Sequence, residues 1–284
     1  MNKYNGTAVY DNIDISTNTN GIGIERNMDE EAVSIITGAS RGIGLQIVKS
    51  QLKASKGKII ACVRDPDTSQ SLTDFLESSK DSERVHIAQL DVTNDSQIVS
   101  FAEDVKNTHG RVDTLFNVAG ILGDSTNTAG PEKALRQIDA AWLRKNLAVN
   151  LVAPIMITKS FAPLMKTKAG RKSTRPPSVI INFSARVGSI TDHIGNSVAW
   201  HSYRCSKAAL NMGTRSLSHE LRRQGTWTFS YYPGFTDTDL SKPFQKGVPK
   251  NIIFPVDRLL MLVQNMEEKH TGGLYDWAGQ ALPF

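Results

Sequence analysis

Val33-Ser34-Ile35-Ile36-Thr37-Gly38-Ala39-Ser40-Arg41-Gly42-Ile43-Gly44 is the stretch whose reading decides the fold. Val33–Thr37 is a short apolar run of β-forming residues, and Ile43–Leu52 carries apolar residues at helical spacing. Between them Gly38-x-x-x-Gly42-x-Gly44 makes a strand–turn–helix junction. Gly38 can take a dihedral that side chains forbid, Gly42 lets a phosphate approach the backbone, and Gly44 lets the helix pack close to the sheet. The free N–H groups and dipole at the helix start favour an anion, so the turn reads as a cradle for a pyrophosphate.

From Ala32 onward strand and helix patterns alternate. Strands are expected at Val33–Thr37, Lys58–Val63, Val85–Leu90, Val112–Val118, Val179–Phe183, Trp227–Tyr232 and Gly273–Trp277. Helices are expected at Ile43–Leu52, Asp67–Lys80, Ser96–Thr108, Ala141–Met165, Tyr203–Gln224 and Pro255–Glu268. Such alternation implies an α/β fold: a single doubly wound parallel sheet, the Rossmann fold, with helices on both faces and ligands beyond the carboxyl ends of the strands. The domain is expected over residues 31–284. Residues 1–30, rich in Asn, Thr, Gly and acidic side chains, read as a disordered or loosely packed leader without the apolar core of a secretory signal. Lys166–Pro177, with five basic residues, reads as a solvated loop.

With 284 residues, 39% hydrophobic and 21% charged, the chain is long enough for a full globular core. Its net charge of +5 suits anionic ligands but is too small to imply nucleic acid. The apolar stretches are all broken by polar or proline residues before the roughly 20 needed to span a membrane. Cys62 and Cys205 are the only cysteines and no CxxC exists. No metal site and no disulfide framework follow; two unlinked thiols fit a reducing, cytoplasmic location.

Tyr203-Arg204-Cys205-Ser206-Lys207 sets a phenol and an ammonium four residues apart, neighbours on one helical face. A cation beside a phenol favours phenolate and lowers its pKa, which suits proton donation to a carbonyl oxygen near neutral pH. At the end of the second strand, where an acid would hold a ribose 2′-hydroxyl, stand Val63 and Arg64. Arg64 and Arg41 suit a 2′-phosphate, so the cofactor reading is NADP(H). Asp65 falls one place late and is available to pair with Arg64.

Together these residues resemble the short-chain dehydrogenase/reductase family over residues 32–284. The turn Thr37-Gly38-Ala39-Ser40-Arg41-Gly42-Ile43-Gly44 matches its TGxxxGxG, and Asp91-Val92 resembles its adenine-contacting pair. Asn117-Val118-Ala119-Gly120 is similar to its NNAG turn with Val118 at the second Asn. Asn150 matches the helix asparagine of its tetrad, Tyr203 and Lys207 its YxxxK, and Pro233-Gly234 with Thr238 its nicotinamide-covering segment. Ser184–Ile190, Ser202–Arg204, Ser206–Asn211 and Gly279–Pro283 are similar to the C-factor and sniffer-like carbonyl reductase branch.

The resemblance implies hydride transfer between NADP(H) and a small aldehyde or ketone. In it Tyr203 donates the proton, Lys207 holds the nicotinamide ribose and depresses the Tyr203 pKa, Asn150 anchors a water, and Ser184 orients the carbonyl. One departure bears on this: the family's Asn-x-Ser-Ser reads Asn182-Phe183-Ser184-Ala185 here, so Ala185 holds the usual catalytic place. The hydroxyl then comes from Ser184, comes from Ser189, or is missing. Trp200 and His201 either line the substrate pocket or pack their loop. Ala185 also supports a second reading, an NADP-binding signalling or sensor protein with little turnover. A homodimer or homotetramer through the helices at Ala141–Met165 and Tyr203–Gln224 is what relatives suggest, and Asp239–Phe254 is the short segment expected to cover the substrate.

Overall fold

The computed structural model describes residues 10–16, 21–123, 131–169, 172–193, 199–236, 238, 240 and 251–284. In chain order the elements are α1 (Gly21–Met28), β1 (Val33–Thr37), α2 (Gly42–Ala54), β2 (Lys58–Val63), α3 (Gln70–Ser78), β3 (Val85–Gln89), α4 (Asp95–Thr108) and β4 (Thr114–Asn117). Next come α5 (Ala140–Leu147), a π-helical stretch at Ala148–Val152, α6 (Ala153–Phe161), and the two-residue strands β5 (Lys168–Ala169) and β6 (Lys172–Ser173). β7 (Ser178–Phe183), α7 (His201–Leu221), β8 (Thr226–Tyr232), α8 (Ile253–Asn265), β9 (Leu274–Asp276) and β10 (Ala281–Leu282) complete them.

Among the described residues eight strands form one sheet in the order β10-β9-β8-β7-β4-β1-β2-β3. All neighbours run parallel except β9 and β10, a pairing that closes one edge. A two-residue strand is too short to leave a periodic signal, which is why only β10 departs from the expected parallel sheet. The central strands are buried at every position, as strands covered on both faces must be.

Alternation along each strand feeds two separate cores. Ile36, Ile59, Phe116 and Ile181 pack with α2, α3 and α8 on one face. Ile35, Ile60, Leu115 and Ile180 pack with α4 and α6 on the other. β1 lies between β2 and β4, so the chain reverses its direction of winding there, and the carboxyl edge of the sheet opens beside the glycine turn.

Three expectations change. Where described, the leader is attached rather than loose. Ile13 and Ile15 join the core, and Ile13 N–H donates to the Gly279 carbonyl at 2.9 Å. The Asn12 side-chain oxygen accepts from Ala281 N–H at 2.8 Å. α1 buries Arg26, whose guanidinium donates to the Pro177 and Val263 carbonyls. These partners are remote in sequence, so the local polar composition gave no sign of them. Residues 1–9 and 17–20 lie outside the described residues.

Lys166–Pro177 is no simple solvated loop, since it forms the β5/β6 ribbon and sends Arg175 inward to Asp113 at 2.6 Å. The single helix expected at Ala141–Met165 is instead α5, the π-helical stretch and α6. No helix of the described residues is long and apolar enough to cross a membrane. Asp239 and residues 241–250, most of the segment expected over the substrate, lie outside the described residues.

Candidate active site at the carboxyl edge of the sheet

The glycine turn is built as its sequence requires. Gly38 and Gly42 have φ of +69° and +57°, the left-handed region where side chains are strained. A Cβ on Gly44 would run into the Gly38 carbonyl oxygen. A Cβ on Gly38 would come within 3.0 Å of the Ala119 Cα, so the turn after β4 rests directly on this one. Thr37 joins the two: its hydroxyl accepts from Val118 N–H at 3.0 Å and Ala119 N–H at 3.2 Å and faces the Phe116 carbonyl at 3.3 Å. Thr238, although 196 residues further along the chain, has its methyl 3.8 Å from the place of a Gly42 Cβ. The segment carrying Pro233 and Gly234 is thereby brought to the same edge, with Gly234 at φ +78° against Trp277.

Arg41 is the residue before α2 and Arg64 follows β2; both are exposed. Ser40 and Ile43 are half-buried within the turn. Asp65 accepts from Asp67 N–H at 3.1 Å and so caps the 3-10 turn at Pro66–Thr68. Asp91 accepts from the Thr93 amide and hydroxyl at 2.9 and 2.7 Å. Those bonds, with a smaller contribution from the Arg64 charge, hold its carboxyl below the ordinary range. Val92 and Ala119 wall one recess with Val149.

Asn117 turns inward. Its amide donates to Asn182 Oδ1 at 2.8 Å and lies 3.5 Å from Thr158 Oγ1, within a polar row that ties β4 to β7 and α6. Its side chain therefore braces the sheet, while Ala119 and Gly120 stand at the edge. A Cβ on Gly120 would lie 3.2 Å from Asn150 Oδ1 and 3.8 Å from Lys207 Nζ, which marks it as the point where β4, the π-helical stretch and α7 converge.

Asn150 sits in that π-helical stretch, a local widening often found at functional positions. Its amide pairs with Ile121 as a peptide would: Oδ1 accepts from Ile121 N–H and Nδ2 donates to the Ile121 carbonyl, both at 2.9 Å. Nδ2 also donates to Ser206 Oγ at 3.1 Å, linking the β4 turn to α7. Tyr203 and Lys207 share one face of α7 as expected, and Lys207 Nζ lies 5.6 Å from the Tyr203 ring centroid.

The expected lowering of the Tyr203 pKa is not what this geometry gives. Burial, with Tyr232 nearby, pushes the phenol up. Burial also pulls the Lys207 ammonium down to about 7. The physical reason lies in placement: Lys207 Nζ donates to the Phe183 carbonyl at 2.6 Å and stands over the Tyr203 ring. Desolvation then outweighs attraction for both groups.

Ser184 is also placed otherwise than the resemblance implies. Its hydroxyl donates to Asn211 Oδ1 at 2.6 Å and is buried against α7. Asn182, two positions earlier on the same strand face, bonds Thr214 of that helix at 2.9 Å. The strand's alternation thus continues through Ser184 and spends its hydroxyl on helix packing. Ser189 Oγ accepts from Asp192 N–H at 3.0 Å within its own turn. Trp200 packs edge-on against Tyr203, ring centroids 6.4 Å apart, and His201 opens α7.

Three residues had no signal in the sequence: Asn211, the partner of Ser184; Tyr232, whose phenol stands near Tyr203; and Glu132, whose buried carboxylate meets Ser202 at the start of α7.

A parallel sheet with a glycine-rich turn at its switch point and a Tyr/Lys pair at its carboxyl edge defines a nucleotide-binding α/β protein of the oxidoreductase kind. A family model described as short chain dehydrogenase matches residues 32–248, and the chain belongs to that family. An uncharacterized oxidoreductase of Schizosaccharomyces pombe is 27% identical over 267 residues, 89% of this chain and 98% of its own length. Among solved structures, the NADPH-bound carbonyl reductase from chicken fatty liver is 27% identical with a TM-score of 0.77, covering 90% of this chain and all of its own. The carbonyl reductase Sniffer of Drosophila melanogaster is 25% identical with a TM-score of 0.76, covering 90% of this chain and all of its own.

Proposed function

We propose that the chain is an NADP(H)-dependent oxidoreductase that moves a hydride between the nicotinamide and the carbonyl or alcohol carbon of a small aldehyde or ketone. The observation that carries this reading is the pairing of half-buried Tyr203 with buried Lys207 on one turn of α7, with Lys207 tied to the end of β7 at the edge where the glycine turn opens. The residues present fit the cofactor. Two left-handed glycines and a helix start leave the backbone bare where a pyrophosphate needs it, and Arg41 with Arg64 suits a 2′-phosphate. The chicken carbonyl reductase, similar over 90% of this chain, is NADPH-bound, which supports the same choice.

A reduced nicotinamide, when bound, supplies the hydride. Tyr203, kept protonated by burial, gives its phenolic proton to the substrate oxygen. Lys207 is the residue that would hold the nicotinamide ribose, while Asn150 fixes Ile121 and Ser206 around it and would anchor a water. Asp91, Val92, Ala119, Gly120, Pro233, Gly234 and Thr238 complete the cofactor wall. Ser184 acts here on α7 through Asn211, so the substrate oxygen is served by Tyr203 without the usual serine beside it.

That same feature favours a second reading, a cofactor-binding sensor with little turnover. The C-signal protein of Myxococcus xanthus, 28% identical over 176 residues, keeps this reading open by analogy alone. The deciding assay follows oxidation of NADPH, with NADH in parallel, against aldehydes, ketones and quinones. Turnover with NADPH is the expected result; tight NADPH binding without turnover on any carbonyl favours the sensor. Tyr203→Phe should lose about 10³-fold in kcat while binding NADPH normally, and an unchanged kcat refutes the assignment.

A further inference from the structure

α7 begins at an unusual junction. Trp200, the residue before it, is the one non-glycine at positive φ among the described residues, at 69°. A tryptophan rarely adopts the left-handed region, and such a conformation persists where surrounding contacts over-determine it. Three residues later comes Tyr203.

Glu132 supplies those contacts from the segment between β4 and α5. Its backbone carbonyl accepts from Trp200 N–H at 2.5 Å. Its carboxylate accepts from Ser202 N–H at 3.3 and 3.4 Å and from the Ser202 hydroxyl. One residue therefore grips both sides of His201, with charge-assisted bonds at the positive end of the helix dipole. Glu132 is itself buried, at 3% exposure, so the grip lies within the protein rather than on a solvated surface. Beyond it, Ser206 lies one turn further along the face of Ser202 and is tied to Asn150 and to the Tyr203 carbonyl.

We propose that Glu132 is a positioning residue for Tyr203: by clamping Trp200 and Ser202 it fixes the first turn of α7 and hence the place of the phenol. The proposal rests on the hydride-transfer reading for its effect on rate, though not for its effect on the phenol's position. Displacements on the scale of an ångström at a reacting group cost on the order of 10²-fold in rate.

The test uses the full-length protein labelled with 3-fluorotyrosine, with the Tyr203 resonance assigned by Tyr203→Phe. Glu132→Ala should shift or broaden that resonance and lower kcat by about 10–100-fold, with KM and NADPH affinity held within about twofold. Glu132→Gln keeps an acceptor oxygen for Ser202 and should restore most of both. Ser202→Ala removes only the hydroxyl contact and should fall between them. An unchanged Tyr203 resonance in a folded Glu132→Ala protein overturns the proposal whatever the activity. So does a loss of kcat matched by equal losses of NADPH affinity and no rescue by Gln, which describes a merely structural role. If the parent protein reduces no carbonyl, the hydride-transfer reading fails while the fluorine resonance still decides the clamp.

Discussion

The two edges of the parallel sheet bury similar groups and treat them oppositely. At the amino edge Asp113 accepts from Val33 N–H, from Arg111 through two nitrogens, and from Arg175 at 2.6 Å. Asp29 takes Arg111 at 2.7 Å. Even Arg26, pulled down to about 10 by burial, is helped by the Asp113 charge and donates to the Pro177 and Val263 carbonyls. At the carboxyl edge Lys207 is as deeply buried, yet among the described residues its ammonium meets a carbonyl and no carboxylate, and its pKa drops to about 7. One edge neutralises its charges to hold the fold together. The other leaves an ammonium and a phenol desolvated side by side, the arrangement the proposed proton transfer would use.

The largest expected effect breaks the amino edge. Asp113→Ala leaves Arg175 and Arg26 without their carboxylate and Arg111 with Asp29 alone, and should cost about 3–5 kcal/mol in urea unfolding. A loss under about 1 kcal/mol would mean that the network adds little beyond the sheet itself.

Next comes the carboxyl edge. Ala185→Ser restores a hydroxyl at the usual family position and should raise kcat by up to about a hundredfold. No change would show that another group already serves the substrate oxygen. Lys207→Met should abolish turnover and yet stabilise the fold by roughly 2 kcal/mol. The sign follows from linkage: folding lowers the Lys207 pKa from 10.5 to about 7, so the folded state carries the full cost of the ammonium below about pH 7. That cost fades as pH rises toward the unfolded value. The advantage of the Met variant in thermal melts is therefore greatest in acid and gone in strong base; the reverse trend would overturn the burial argument. The smallest effect sharpens the Ser184 correction. Ser184→Ala should cost about 1 kcal/mol of stability and change kcat little, whereas a hundredfold loss of kcat would return Ser184 to the reacting atoms.

Legibility in the sequence followed the range of the interactions. β1, the glycine turn and α2 form one contiguous stretch, legible because the left-handed φ of Gly38 and Gly42 and the contact of Gly44 with the Gly38 carbonyl are set within that stretch, although Ala119 and Thr238 pack against it from afar. The Tyr203/Lys207 pairing held for the same reason, being set by helix periodicity. Asn117 ends β4 rather than lying in the turn after it, and its side chain faces a polar group on β7 that no local pattern announces. In sequence, α1 and residues 10–16 resemble a loose leader because Ile13, Ile15 and Arg26 are isolated among polar neighbours, and only burial in the fold reveals their attachment.

The sequence by itself determined the alternation of strands and helices, the nucleotide turn at their switch point, and the spacing of Tyr203 and Lys207, since period, φ requirements and turn chemistry act within one or two turns of chain. Only the tertiary structure decided which polar groups find partners. Ser184 meets Asn211 across 27 residues, Asp113 meets Arg175 across 62, Glu132 meets Ser202 across 70 and Arg26 meets Pro177 across 151. Burial and partnership set pKa values and strain, and both exist only once distant segments are packed together.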